Sequence, residues 1–142
     1  MKLSTRDIVY IGFIAALCAV ATTIRIEIPG GAMVHLGSAA LFTTSILFGG
    51  LYGGLGAAIG SALFDLFGGH TQYIVFSFFI KGIAGLIVGG MTAGYLPPSI
   101  TKPTASFGGI LVALIIGAVW TAFGYFLAWW FVLESAVVAA SK

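Results

Sequence analysis

Apolar positions gather into long runs, and the polar positions fall mostly between them. The first run predicts a helix over about Ile8–Ile24, with Ser4 or Thr5 placed to cap its start. Arg25, Glu27, Pro29 and the Gly30-Gly31 pair end it, because charge, a proline and a turn-prone dipeptide coincide there. A second helix is expected over about Leu36–Phe48, which is short for a spanning segment. Gly49, Gly50, Gly53 and Gly54 read as a tight turn without charge, and a third helix then runs to about Phe67, where Gly68-Gly69-His70 closes it. A fourth helix over about Gln72–Tyr95 leads into a polar connection that Pro97, Pro98 and Pro103 keep from being helical throughout. The fifth is the clearest span, from Phe107 to about Val132 without a charged residue, ending in Trp129, Trp130 and Phe131 like an interfacial belt. A small-residue tail, Ala136 to Ser141, follows Glu134.

Composition turns this pattern into a class. The 142 residues are 60% hydrophobic and 7% charged, whereas soluble domains are about a quarter charged. Six basic and four acidic side chains do not cover a water-facing globule of this size. The expectation is an all-α membrane protein, one transmembrane domain over residues 1–142 built from a bundle of about five helices in the lipid bilayer. Lys2 and Arg6 precede the first run as in a signal peptide, but further runs follow, and large Leu17 before Cys18 does not fit a lipoprotein site. The first run therefore reads as a retained helix. A net charge of +2 with scattered basic residues excludes a nucleic-acid surface. Lys2, Arg6 and Lys102 fall on one side of the bundle and Arg25 and Lys142 on the other, which puts the N-terminus in the cytoplasm and the 25–35 and 68–71 connections outside.

Few residues carry candidate chemistry. Lys81 lies nine residues or so into the fourth helix, roughly 13 Å deep at about 1.5 Å per residue. An ammonium at that depth costs on the order of 3 kcal/mol and needs a partner or a wet cavity. A structural pair with Asp65 and a ligand contact at the floor of an outward-facing pocket are equally good readings, and they are compatible. Asp65 itself, a turn from the outer end of helix three, reads as solvated at least as well as functional. His35 reads first as a polar anchor and His70 as a solvated turn residue, and two histidines without a carboxylate at ligand spacing make no metal site. Gln72 and Tyr73 open helix four; Trp120, Tyr125 and Trp129 stripe helix five, where belt and core packing compete with stacking on a flat ring. Cys18, the only cysteine, allows neither an internal disulfide nor a cysteine metal site and reads as a small buried hydrophobe. Ala15/Ala19, Gly49/Gly53, Gly56/Gly60 and Gly85/Gly89 each lie four apart, a spacing that lets helix backbones approach in lipid. No nucleophile triad, HExxH or phosphate-binding loop is present, so neither an enzyme nor an ATPase is expected.

In order and spacing, Ala15-Ala16 with Ala19, Ile28-Pro29-Gly30-Gly31, Val34-His35-Leu36-Gly37, Leu47-Phe48-Gly49-Gly50, Gly56-Gly60-Asp65 and Phe79-Ile80-Lys81-Gly82 resemble the substrate-binding S components of energy-coupling factor (ECF) transporters. The resemblance covers about residues 8–95 and is looser through helix five. It implies a small vitamin-binding membrane subunit without a cofactor of its own. Such a subunit captures its substrate outside and passes it to a transmembrane T component driven by two ATPase subunits. It further implies that Ala15 and Ala19 dock on the T component, that the loop between helices one and two closes over the pocket with Glu27 and His35 near substrate, and that Lys81 points into that pocket. Asp65, Gln72, Tyr73, Trp120 and Tyr125 complete the expected lining. The branch it most resembles imports riboflavin or pyridoxine- and pyrimidine-type precursors. Two features depart from the pattern. Gly37-Ser38 stands where Gly-Asp is usual, and five helices stand where six are usual, which implies either a truncated chain or a different arrangement of helix five and the tail. A glycine-rich oligomeric channel or scaffold is the alternative reading.

Overall fold

The computed structural model describes residues 4–29, 32–94 and 105–142, the side chains of residues 32–35 excepted. Five α-helices are described: α1 Thr5–Thr23, α2 Gly37–Phe48, α3 Gly50–Phe67, α4 Ile74–Thr92 and α5 Phe107–Ala140. A short 3₁₀ turn, Thr71–Tyr73, precedes α4. All but α2 are long and apolar enough to cross a membrane; the 12 residues of α2 reach only about 18 Å. The expected all-α membrane bundle is thus the observed one.

Local chemistry sets the element ends. Ser4 caps α1, its hydroxyl accepting from the Asp7 N–H while the Asp7 carboxylate accepts from the Ser4 N–H, a reciprocal capping box. The Tyr52 hydroxyl donates to Asp7 and ties the start of α1 to α3. The connection after α1 is more ordered than a loop. Arg25–Ile28 (β1) pairs antiparallel with Ala32–His35 (β2), Arg25 opposite His35, and the Leu36 N–H closes the hairpin base on the Ile24 carbonyl at 3.1 Å. The alternation Arg-Ile-Glu-Ile is the period-two signal for it.

Two further expectations change. The glycine turn shrinks to Gly49, whose φ of 90° breaks the chain between α2 and α3, while Gly50, Gly53 and Gly54 are helical. The tail after Glu134 is no separate segment, since α5 runs unbroken through Ala136 to Ala140. Alanine is the strongest helix former and one glutamate does not interrupt a helix. The connection at 96–104, with Pro97, Pro98, Lys102 and Pro103, lies outside the described residues.

Helix α3 packs on α1, α2 and α4, and glycines make these contacts close. A methyl group at Gly56 would stand 2.4 Å from Ile14 Cγ2, and one at Gly60 2.4 Å from the Ala15 carbonyl oxygen, both on α1. At Gly85 and Gly89 of α4 it would meet the α3 backbone, 2.7 Å from Gly54 Cα and 2.3 Å from Gly50 N. The spacings Gly56/Gly60 and Gly85/Gly89 are therefore contacts within the chain, in which main chains approach as small-xxx-small pairs allow. Ile11, Ile14, Cys18, Leu41, Tyr52, Ala57 and Ala84 form a buried core shared by α1–α4. Helix α5 joins along one stripe, burying Ala113, Gly117 and Ala128, and otherwise turns large apolar side chains outward, including Trp129 and Trp130. Outward apolar side chains suit a lipid surround.

Candidate functional site

Of the buried polar side chains among the described residues, Thr22, Asp65, Ser77 and Lys81 lie toward the hairpin end of the bundle, and Thr44, Ser45 and Thr92 toward the other. Lys81 sits two turns into α4 and is 3% exposed. Its Nζ donates to Ser38 Oγ at 2.7 Å and stands 5.4 Å from the centre of the Tyr125 ring. Ser38 is the second residue of α2, so the lysine extends toward the hairpin end as snorkelling side chains do. Burying the ammonium costs about 2.5–3.5 kcal/mol. A charge-assisted hydrogen bond returns about 1.5–3 kcal/mol, and a desolvated cation–π contact about 2 kcal/mol. Lys81 is therefore tolerable without a carboxylate.

The cluster extends from there. The Tyr125 hydroxyl of α5 donates to Ser77 Oγ at 2.9 Å, and Ser77 lies one turn before Lys81 on the same face of α4. Asp65 of α3, 8% exposed, neighbours Ser77. Cys18 of α1 and Asp65 are the other ionisable groups near Lys81. Five helices thus converge on one polar cluster in an apolar bundle. Trp120 backs it, its indole N–H donating to the Ile80 carbonyl at 3.1 Å.

Several sequence expectations are corrected here. Lys81 and Asp65 form no ion pair, and Arg25–Glu27 at 3.6 Å is the only one among the described residues. The lysine turns to α2 and α5, whereas the carboxylate turns to Ser77. Asp65 is buried and not solvated. His70 is half-buried, its ring stacked on Phe64 at 6.2 Å with Nδ1 unpaired among the described residues. Ala15 is buried, its carbonyl against Gly60, and Ala19 is half-buried.

The structure brings Lys81, Asp65 and Tyr125 into one cluster, and the remaining candidates lie on the hairpin, the 3₁₀ turn and α5. Glu27 is exposed on the hairpin beside Arg25, whose guanidinium lies over Phe64 at 5.7 Å. Gln72 is exposed and Tyr73 half-buried on the 3₁₀ turn. The side chain of His35 lies outside the described residues, its backbone paired with Arg25. Ser38 and Ser77 went unrecognised in the sequence. Ser77 was within reach of it, four residues before a buried lysine on one helix face; Ser38 was visible only as a departure from a motif.

Comparison with known proteins agrees with this architecture. Residues 2–142 match the family described as "ECF-type riboflavin transporter, S component", and the chain belongs to that family. It is a multi-pass membrane protein of a transport family, not of an enzyme family. A Pyrococcus woesei protein described as "Uncharacterized protein in gap 3'region" is 32% identical over 103 residues, 72% of this chain. The aligned part spans 63% of that relative's length.

Proposed function

We propose that the protein captures riboflavin, or a vitamin closely like it, outside the cell membrane and delivers it to a transmembrane T component powered by two ATPase subunits. The match of nearly the whole chain to a riboflavin-transporter subunit family carries this reading. The buried cluster around Lys81 supports it, because ionisable groups within membrane-spanning helices are rare and commonly mark ligand or ion paths. Lys2, Arg6 and Lys102 favour a cytoplasmic N-terminus, which points the hairpin end outward and opens the cluster toward incoming substrate. The hairpin with Glu27 and His35 then serves as the lid, with Gln72 and Tyr73 at its rim. The docking face on α1 falls to half-buried Ala19 and exposed Ala16.

The test is mass spectrometry of small molecules extracted from the purified protein, followed by riboflavin titration of the emptied protein. Stoichiometric riboflavin is the expected result. Lys81→Ala should weaken binding by about tenfold, or 1.4 kcal/mol, while the protein keeps its elution profile in detergent. Unchanged affinity in that variant would make Lys81 a structural residue.

A further inference from the structure

One atom of the buried cluster is left without a role. Asp65 Oδ2 has no hydrogen-bond partner among the described residues, although the residue is only 8% exposed. Its neighbours explain why. Tyr125 donates to Ser77, which leaves the Ser77 proton for one carboxylate oxygen and nothing for the other. The nearby ammonium is aimed at Ser38 and Tyr125. A buried carboxylate oxygen without a donor carries the full desolvation penalty of a charged acceptor. Alanine at this position would avoid it. The carboxylate is thus set up for a donor from outside the chain.

We propose that Asp65 Oδ2 accepts a hydrogen bond from an imide N–H of the bound vitamin, while Lys81 donates to the carbonyl beside it. The proposal rests on the riboflavin reading and deepens it by naming the edge of the ring that is read. Lys81 has three N–H donors and spends one on Ser38, so it retains donors for a carbonyl. A metal ion is a poorer occupant of Asp65, since no group of three or more His, Cys, Asp or Glu side chains surrounds such a position among the described residues. Riboflavin carries its imide N–H between two carbonyls, and so asks for one acceptor and one donor, the two kinds of group that Asp65 and Lys81 bring to this cluster. Sites that pair with an N–H reject analogues lacking it strongly, because the buried acceptor is then stranded.

The experiment compares binding of riboflavin and 3-methylriboflavin to the purified full chain and to Asp65→Asn, both in nanodiscs. The wild type should bind the methylated ring at least about tenfold more weakly. Asp65→Asn, which replaces the bare acceptor by an amide, should bind riboflavin about tenfold more weakly and lose most of the discrimination between the two rings. Equal binding of both rings by the wild type overturns the proposal without any variant having to fold. So does an Asp65→Asn protein that discriminates as the wild type does, since the methyl group is then excluded by other residues. A wild type that binds neither flavin overturns the riboflavin reading and this proposal with it.

Discussion

The two faces of α4 are built on opposite principles. Toward α3 the contact is backbone on backbone, with Gly85 and Gly89 seated on Gly54 and Gly50 and no room for a methyl group. Toward α5 the contact is made by side chains: Val88 fills the space over Gly117, Ile80 that over Gly124, Trp120 bonds to a carbonyl and Tyr125 to Ser77. Main-chain contacts have one geometry and break when it shifts, whereas rotamers and hydroxyl bonds can be exchanged. The first face is scaffold. The second borders Lys81 and is held by exchangeable side-chain bonds.

Breaking the scaffold face should have the largest effect. In Gly89→Ala the new Cβ falls 2.3 Å from Gly50 N, and backbone cannot swing aside. A loss of about 3 kcal/mol is expected, the upper end for overpacking, seen as a strongly lowered Tm in detergent. A variant melting with the wild type would show that the helices slide freely and would erase the distinction. Tyr125→Phe sharpens it from the other side. It removes the bond to Ser77 but keeps the ring over Lys81, so a loss of about 1 kcal/mol in stability is expected. Gly12→Ala is the smallest change, because nothing lies within 4 Å of its position on the exposed face of α1. Tm should move by the equivalent of less than about 1 kcal/mol, and upward, since alanine favours helix.

Legibility followed the same division. The helices, the close glycine spacings and the burial of Lys81 were readable, because each depends on neighbours within one helix or on an apolar surround. The pairing of Lys81 was not. Ser38 lies 43 residues away in sequence, and opposite charge alone made Asp65 the natural guess, although direction from the helix axis decides which groups meet. The hairpin hid behind Pro29, Gly30 and Gly31, strong turn signals that mask strands of only four residues. The continuation of α5 past Glu134 hid behind a drop in hydropathy, which reports on lipid contact and not on helix propensity.

Helix α5 also differs from its partners in reach. Its 34 residues extend about 51 Å, against about 30 Å for the hydrocarbon layer. At 19 and 18 residues, α1 and α3 are close to that thickness. A helix so overlong either leans or stands proud of the surface, and a thicker or thinner bilayer changes the balance at fractions of a kcal/mol per Å. Mismatch therefore acts mainly on the helix that carries Trp120 and Tyr125. Lipid chain length becomes a mechanical input to the contacts around Lys81, transmitted by one lever while the shorter helices stay matched to the layer.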